Sequence, residues 1–118
     1  MPEKYRFGRE QEQHELAVRM EHARQAEADA QAVVEAFNRR LAGGRPIWAW
    51  PTVAAAITGR HPWVSIVCDS CDGVTDLDLR MKPRAPEASI RVVLRDVKCP
   101  RCNGHGRPRI VGLRGAPA

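Results

Sequence analysis

Large apolar side chains are scarce in this sequence. Its 118 residues include three Trp, two Phe and one Tyr, so that aromatic residues make up 5 % of the chain. No stretch approaches the ~20 apolar residues that cross a bilayer, which excludes a membrane-spanning helix. The segment from Met1 to Arg24 is charged and lacks the apolar run of a secretory signal, so we expect a cytoplasmic protein. A chain with so small a core commonly needs a metal, disulfides or a partner for stability.

Acidic residues are missing from the C-terminal end. The formal net charge is +5; residues 1–50 hold eight basic and eight acidic residues, whereas residues 51–118 hold eleven and six. From Val97 to Ala118 there is no acid. The basic residues of that segment are Lys98, Arg101, Arg107, Arg109 and Arg114. A basic patch of this kind is typical of nucleic-acid contact, so these five are candidate phosphate contacts. The alternative is a mildly basic balance that serves solubility alone.

The first predicted segment, residues 1–44, consists mainly of one long helix that is expected to run from about Arg9 to Ala42. Between Arg9 and Ala42 there is no Gly or Pro, and the segment is rich in Ala, Glu, Gln and Arg, which favour helix. Arg39 and Arg40 suit the negative end of the helix dipole, and Gly43-Gly44 can adopt the left-handed conformation that ends a helix.

The same helix carries an apolar heptad seam that only Glu27 interrupts. The seam consists of Leu16, Met20, Ala23, Ala30, Val34, Phe37 and Leu41. One such helix is not stable alone in water, so it must pack on the rest of the chain, on a second copy or on a partner helix. The larger members, Leu16, Met20, Val34, Phe37 and Leu41, are the candidate interface.

The second segment, residues 45–62, is predicted to be a connector with a short helix. Pro51 can open this helix, which runs through Thr58 and ends at Gly59. The spacing of Val53 and Ile57 predicts one buried face.

Trp48 and Trp50 in this connector are interpreted as packing anchors. The alternative is a base-stacking platform, but such platforms usually lie among basic residues on strands. Only Arg45 and Arg60 are close in sequence, so packing is favoured.

The third segment, residues 63–115, alternates short apolar runs with turns. Val64–Val67 and Val74–Leu79 are predicted strands, with Leu77 and Leu79 on the inner face. Residues 86–97 fit either strand or helix, and their i, i+3, i+4 spacing favours helix. Residues 109–113 form a last strand. The expected core residues are Ile66, Leu77, Leu79, Ile90, Leu94 and Ile110.

All four cysteines fall in two Cys-x2-Cys pairs. Cys68 and Cys71 form the first pair, Cys99 and Cys102 the second, and 27 residues separate the pairs. Two such knuckles can complete a tetrahedral four-sulfur shell, so we predict one structural Zn²⁺ ion. Gly73 and Gly104 follow the pairs at positions where a glycine lets an amide approach a thiolate. Disulfides, a redox-active pair and an iron or iron–sulfur site remain alternatives.

Catalytic chemistry is not expected. A four-cysteine site has no open coordination position for water, and His105, three residues after Cys102, is interpreted as a loop residue rather than a ligand. The acidic residues near the first knuckle are interpreted as the solvent face of a strand. They are Asp69, Asp72, Asp76 and Asp78.

Taken together, the two knuckles set in short β segments resemble a zinc ribbon. The second knuckle, Cys99-Pro-Arg-Cys102-Asn-Gly-His-Gly106, is similar to one Cys-x2-Cys-x-Gly-x-Gly repeat of the DnaJ co-chaperones, whereas the first matches only as far as Gly73. Residues 51–115 look most like small bacterial zinc-ribbon proteins of unassigned activity, which share the Asp-Leu-Asp-Leu-Arg strand (76–80) and the Leu-Arg-Asp-x-x-Cys segment (94–99). This resemblance implies a cytoplasmic zinc protein.

The expected fold class is therefore α+β, a long N-terminal α-helix followed by a small zinc-ribbon-like module with short antiparallel strands. Two functions fit the sequence. The first is a regulatory, non-enzymatic zinc module that contacts DNA or RNA through its basic C-terminal residues. The second is an adaptor or homodimer that uses the helix seam, with zinc in a purely structural role.

Overall fold

The computed structural model describes residues 2–102 and 107–117, with side chains from residue 8 onward. The elements in chain order are α1 (Pro2–Ala42), α2 (Val53–Thr58), β1 (Trp63–Cys68), β2 (Val74–Asp78), α3 (Ile90–Arg95) and β3 (Pro108–Arg114). This order confirms the α+β class. Within the described residues, no helix combines the length and apolar content that a bilayer crossing requires.

Helix α1 ends as predicted and begins earlier than predicted. Gly44 has φ 64° and the Arg45 N–H donates to the Arg40 carbonyl at 3.0 Å, which closes the last turn. At the other end the helix extends back past Arg9 to Pro2. A proline is tolerated in the first turn, and one interior glycine, Gly8, costs only ~0.5–1 kcal/mol.

The three strands form one antiparallel sheet in the order β2-β1-β3. Trp63 pairs with Asp78 at one end of β1–β2 and Val67 pairs with Val74 at the other. Between β1 and β3 the register shifts at Ser65/Ile66, so that Val111 has no partner in the ladder and is exposed. Alternate residues of the central strand β1 therefore face the core, and these are Val64, Ile66 and Cys68.

The core lies between this sheet and all three helices. Its buried members are Val34, Phe37, Val53, Ala56, Val64, Ile66, Leu79, Ile90, Val93, Leu94 and Leu113. Four of the expected core residues, Ile66, Leu79, Ile90 and Leu94, are buried. Leu77 and Ile110 are half-buried and pack against the cluster.

The two short helices begin later than predicted because their leading segments bond to each other. The N–H groups of Val53 and Ala54 donate to the carbonyls of Ala88 and Pro86, and the Ile90 N–H donates to the Pro51 carbonyl. Thr52 and Ser89 then act as the N-caps. The residues that were predicted to open the two helices therefore lie outside them: Pro51 precedes the Thr52 N-cap, and Pro86 lies in a turn that the Ala88 N–H closes on the Ala85 carbonyl.

Helix α2 buries a different residue from the one predicted. Ile57 is 40 % exposed, whereas Ala56 is fully buried beside Val53. Helix α1 lies very close to α2, so only small side chains such as that of Ala56 fit between the two helices. A Cβ on Gly59, the C-cap, would come within 3.1 Å of the Ala30 carbonyl oxygen.

The two connector tryptophans behave differently. Trp50 packs as predicted, with its ring centroid 5.2 Å from that of Phe37. Trp48 is 79 % exposed, so its interpretation as a packing anchor is wrong. The chain bends at Trp48 and Ala49, and both of these residues are exposed, whereas Trp50 is turned towards the core.

Glu27, the polar interruption of the seam, has a structural explanation. Its carboxylate accepts from the Arg60 guanidinium at 2.6 Å. Arg60 follows α2 with φ 59°, a left-handed conformation that turns the chain towards β1. The seam position thus anchors α1 to the α2–β1 turn.

Candidate metal centre

The folded chain brings all four cysteines together. Cys68 is the last residue of β1, Cys71 lies in the turn that follows, and Cys99 and Cys102 come after α3. Their four Sγ atoms lie within 4.8 Å of one another, so the cluster can hold a metal ion. Strand β1 and helix α3 are both held by the core, which is why residues far apart in sequence meet here.

The sulfur geometry fits tetrahedral coordination. A zinc ion with Zn–S distances of about 2.3 Å has its sulfurs about 3.8 Å apart. The Cys68 and Cys102 sulfurs are 3.4 Å apart, and the Cys71 and Cys99 sulfurs are 3.6 Å apart. Each of these pairs has one cysteine from the first knuckle and one from the second. Both S–S distances exceed the ~2.05 Å of a disulfide bond. The four thiols are free.

The backbone of the first knuckle is a tight turn. The Asp72 N–H donates to the Cys68 carbonyl at 2.9 Å, and the Cys68 N–H donates to the Gly73 carbonyl at 3.1 Å. Asp72 has φ 55°, a left-handed conformation that Asp tolerates better than most residues. A Cβ on Gly73 would lie 3.2 Å from Cys71 Sγ. The predicted close approach of Gly73 is thus confirmed; Gly104 and His105 lie outside the described residues.

Backbone N–H groups stabilise a thiolate in the second knuckle. The N–H groups of Arg101 and Cys102 lower the pKa of Cys99 to about 6, against the opposing effect of burial. For Cys71 the Gly73 N–H lowers the pKa, but bonding to Cys99, burial and the other two thiols outweigh it and raise the value to about 11. Negative charge on one sulfur therefore opposes ionisation of the next, and a bound cation would relieve that repulsion.

One side of the cluster is buried and the other faces solvent. Cys68 and Cys99 are buried next to Ile66, Thr75 and Pro108, whereas Cys71 is exposed. The apolar wall strengthens electrostatic interactions at the sulfurs, as is usual beside a metal centre.

The predicted basic residues all lie on the surface. Lys98, Arg101, Arg107, Arg109 and Arg114 are each exposed. Arg101 lies against Gly73 beside the sulfurs, and Arg109 pairs with Asp69 at 3.8 Å in an exposed contact that contributes little to stability. The Asp69 N–H also donates to the Arg107 carbonyl, which joins the first knuckle to the start of β3.

The acidic residues differ in role. Asp69 and Asp72 are exposed as expected. Asp76 is half-buried, and its carboxylate accepts a hydrogen bond from the buried Ser65 hydroxyl at 2.7 Å. It therefore links β2 to β1 and is not simply a solvent-facing residue of the strand. Asp78 binds the Arg80 guanidinium through both oxygens, and these bonds hold the pKa of its carboxyl below the usual value.

The predicted helix interface is divided by the fold. Leu16 and Met20 are 57 % and 54 % exposed, whereas Val34 and Phe37 are buried in the protein's own core and Leu41 is half-buried against it. Val34 and Phe37 are therefore not available to a partner. Their seam is used within the chain because α2 and β3 cover it.

Sequence reasoning missed two arginines. Arg91 and Arg95 of α3 line an open groove of about 440 Å³ together with Trp50 and Arg107. Their i, i+4 spacing indicates one helix face, but nothing in the sequence shows that this face lies next to Trp50.

Comparison of the chain with protein-family models, with curated proteins and with solved structures finds no match. The fold and the site themselves define the class, a small α+β protein with a four-cysteine centre able to hold a metal ion.

Proposed function

We propose that the protein is a structural zinc module that associates with nucleic acid and has a regulatory rather than enzymatic role. Zinc is supported by four free cysteine sulfurs at tetrahedral spacing and by N–H donors to two of them. Thiolate sets with this geometry suit zinc, and iron is the competing metal. Elemental analysis of the reduced protein should find about one zinc per chain, and iron in its place would contradict the zinc assignment.

The exposed positive charge around the metal centre carries the nucleic-acid proposal. Arg101 is next to the sulfurs, Lys98 precedes the second knuckle, and Arg107 leads into β3. A metal-braced module holds such side chains in a fixed arrangement, which suits contacts to phosphates.

A salt titration tests this proposal. Three or four phosphate contacts predict a log–log slope of affinity against salt of roughly −3 to −4 on duplex DNA, since each contributes ~0.9. Fluorescence anisotropy at low salt measures it. Absence of binding at tens of micromolar protein would remove the proposal.

The exposed half of α1 supports a second candidate, an adaptor or homodimer. Leu16 and Met20 lie one turn apart, and both are more than half exposed on a helix that leaves the folded body. Such an apolar stripe is the kind that pairs with a second helix.

The adaptor is tested at these exposed positions, because a change at buried Phe37 would disturb the core. Leu16→Asp with Met20→Asp should convert a dimer to a monomer in light scattering. Gln11→Asp with Gln25→Asp, at exposed positions off the seam, is the control. A wild type that is monomeric and whose pulled-down partners are the same as those of the variant would argue against the adaptor.

A further inference from the structure

A basic groove with an aromatic wall lies beside the metal centre. It is open to solvent, measures about 440 Å³ and is lined by Trp50, Arg91, Leu94, Arg95, Arg107 and Pro108. The residues come from the connector, from α3 and from the start of β3, so the groove exists only in the folded chain.

The charge of the groove selects an anion. Arg91 and Arg95 lie one turn apart on α3, and Arg107 faces them from the start of β3; all three are exposed. None of the three pairs with an acidic residue in the described ranges 8–102 and 107–117, and no described acid lines the groove. Guanidinium groups bind phosphate oxygens in a bidentate manner, so a phosphate is a suitable ligand.

The aromatic wall selects a planar ring beside that phosphate. Trp50 is held against Phe37 with 5.2 Å between ring centroids, which orients its indole. Leu94 and Pro108 add apolar surface on the same groove. An aromatic side chain next to cationic ones is the arrangement on which unpaired bases stack while their phosphates are neutralised.

We infer that this groove binds single-stranded nucleic acid, with a base stacked at Trp50 and phosphates held by Arg91, Arg95 and Arg107. The inference rests on the proposed nucleic-acid function and specifies its partner. A duplex keeps its bases stacked inside, where an indole cannot reach them, so the aromatic wall contributes only with a single strand.

The first test removes the two α3 charges. Zinc-loaded full-length protein is titrated against a labelled twelve-nucleotide oligothymidine and against a duplex of the same length. The wild type should prefer the strand. Arg91→Ala with Arg95→Ala should weaken strand binding about tenfold and reduce the log–log salt slope by about 1.4, since each contact to a single strand contributes ~0.7.

A matched control removes equal charge elsewhere. Arg39 and Arg45 line another open basic groove, of about 560 Å³, which has no aromatic residue. Arg39→Ala with Arg45→Ala should change strand affinity less than threefold. Trp50→Leu, checked for folding by circular dichroism, should weaken strand binding about tenfold through lost stacking, whereas Trp48→Leu should not.

The outcomes separate this inference from the function on which it rests. Equal affinity for strand and duplex would overturn the inference that the groove binds single strands, and so would equal effects of the two arginine pairs. Either result would leave the proposal of nucleic-acid binding in place. Competition by thymidine monophosphate as effective as that of the strand would overturn it in favour of a free nucleotide. No binding to strand or duplex would overturn both.

Discussion

Because Gly73 has no side chain, its backbone can approach the Cys71 sulfur in the metal centre. Its N–H donates to Cys71, and a Cβ at this position would lie 3.2 Å from Cys71 Sγ and 3.0 Å from Arg101 Cδ. The arginine side chain can move aside at little cost. A metal ion bound by all four cysteines would restrict the sulfur much more, because the ion fixes its distance and direction.

We therefore expect Gly73→Ala to lower metal affinity by about tenfold, the low end of the effect of altered groups around a metal's ligands. Competition with a chromophoric chelator measures the affinity. Gly8→Ala is the control, since a Cβ on Gly8 meets nothing within 4 Å. Equal affinity in Gly73→Ala and wild type would mean that the amide contact does not tune the site.

Residue types predicted the metal centre well. Two Cys-x2-Cys pairs and Gly73 are local patterns whose chemistry depends on short spacing, and the four sulfurs do come together. The groove at Trp50 could not be predicted in this way. Its arginines are about 40 residues or more from Trp50 in sequence, and only the packing of α3 against the connector brings them close.

At the scale of elements, one amide side chain adds hydrogen bonds to the apolar contact between α1 and the sheet. Asn38 Nδ2 donates to the Leu113 carbonyl and Asn38 Oδ1 accepts from the Leu113 N–H, both at 2.9 Å. Strand β3 is at the edge of the sheet. Its unpaired backbone groups would otherwise face solvent or another strand, so Asn38 covers the edge at this point.

Asn38→Ala should lower the free energy of unfolding by about 1–3 kcal/mol, because a buried donor and acceptor lose their partners. Gln25→Ala is matched to it as an amide on the same helix, and its bond to Asp29 is exposed. That control should change stability by less than about 0.5 kcal/mol. Urea unfolding followed by circular dichroism compares the two, and equal small effects would show that Asn38 does not secure the edge.

The heptad seam illustrates what an element's pattern leaves open. It correctly marks Val34 and Phe37 as apolar contacts, but the same spacing serves a partner helix or the chain's own core. The deciding residues are elsewhere: Gly59 lets α2 approach Ala30, and Arg60 binds Glu27. Neither residue is recognisable as a seam partner before the tertiary structure is known.

At the scale of the whole molecule, the chain has two regions that depend on different forces. The folded body has an apolar core around Val34 and Ile90. The sulfur cluster joins the end of β1 to the segment that follows α3. The exposed part of α1 extends the molecule to 72 Å in its longest dimension. That part has few contacts with the body and depends on local helix propensity.

Metal removal should therefore affect the two regions unequally. With zinc bound at the four cysteines, a chelator should unfold the sheet and α3, because thiolates that lose their cation repel one another and no longer hold the knuckles. Hydrogen exchange should increase at β1, β3 and the part of α1 around Val34 and Phe37, whereas the part around Leu16 and Met20 should change less, because it is exposed and loses little packing. Acid should act in the same direction, since protons compete with the metal for the sulfurs.

The control is Cys102→Ser under the same conditions, which should already show faster exchange in β1 and β3 before any chelator is added. Restoring zinc should restore protection in the wild type. A wild type that keeps the same exchange pattern after complete metal loss would show that the apolar core alone maintains the fold. The cysteine cluster would then be a binding site without a structural role.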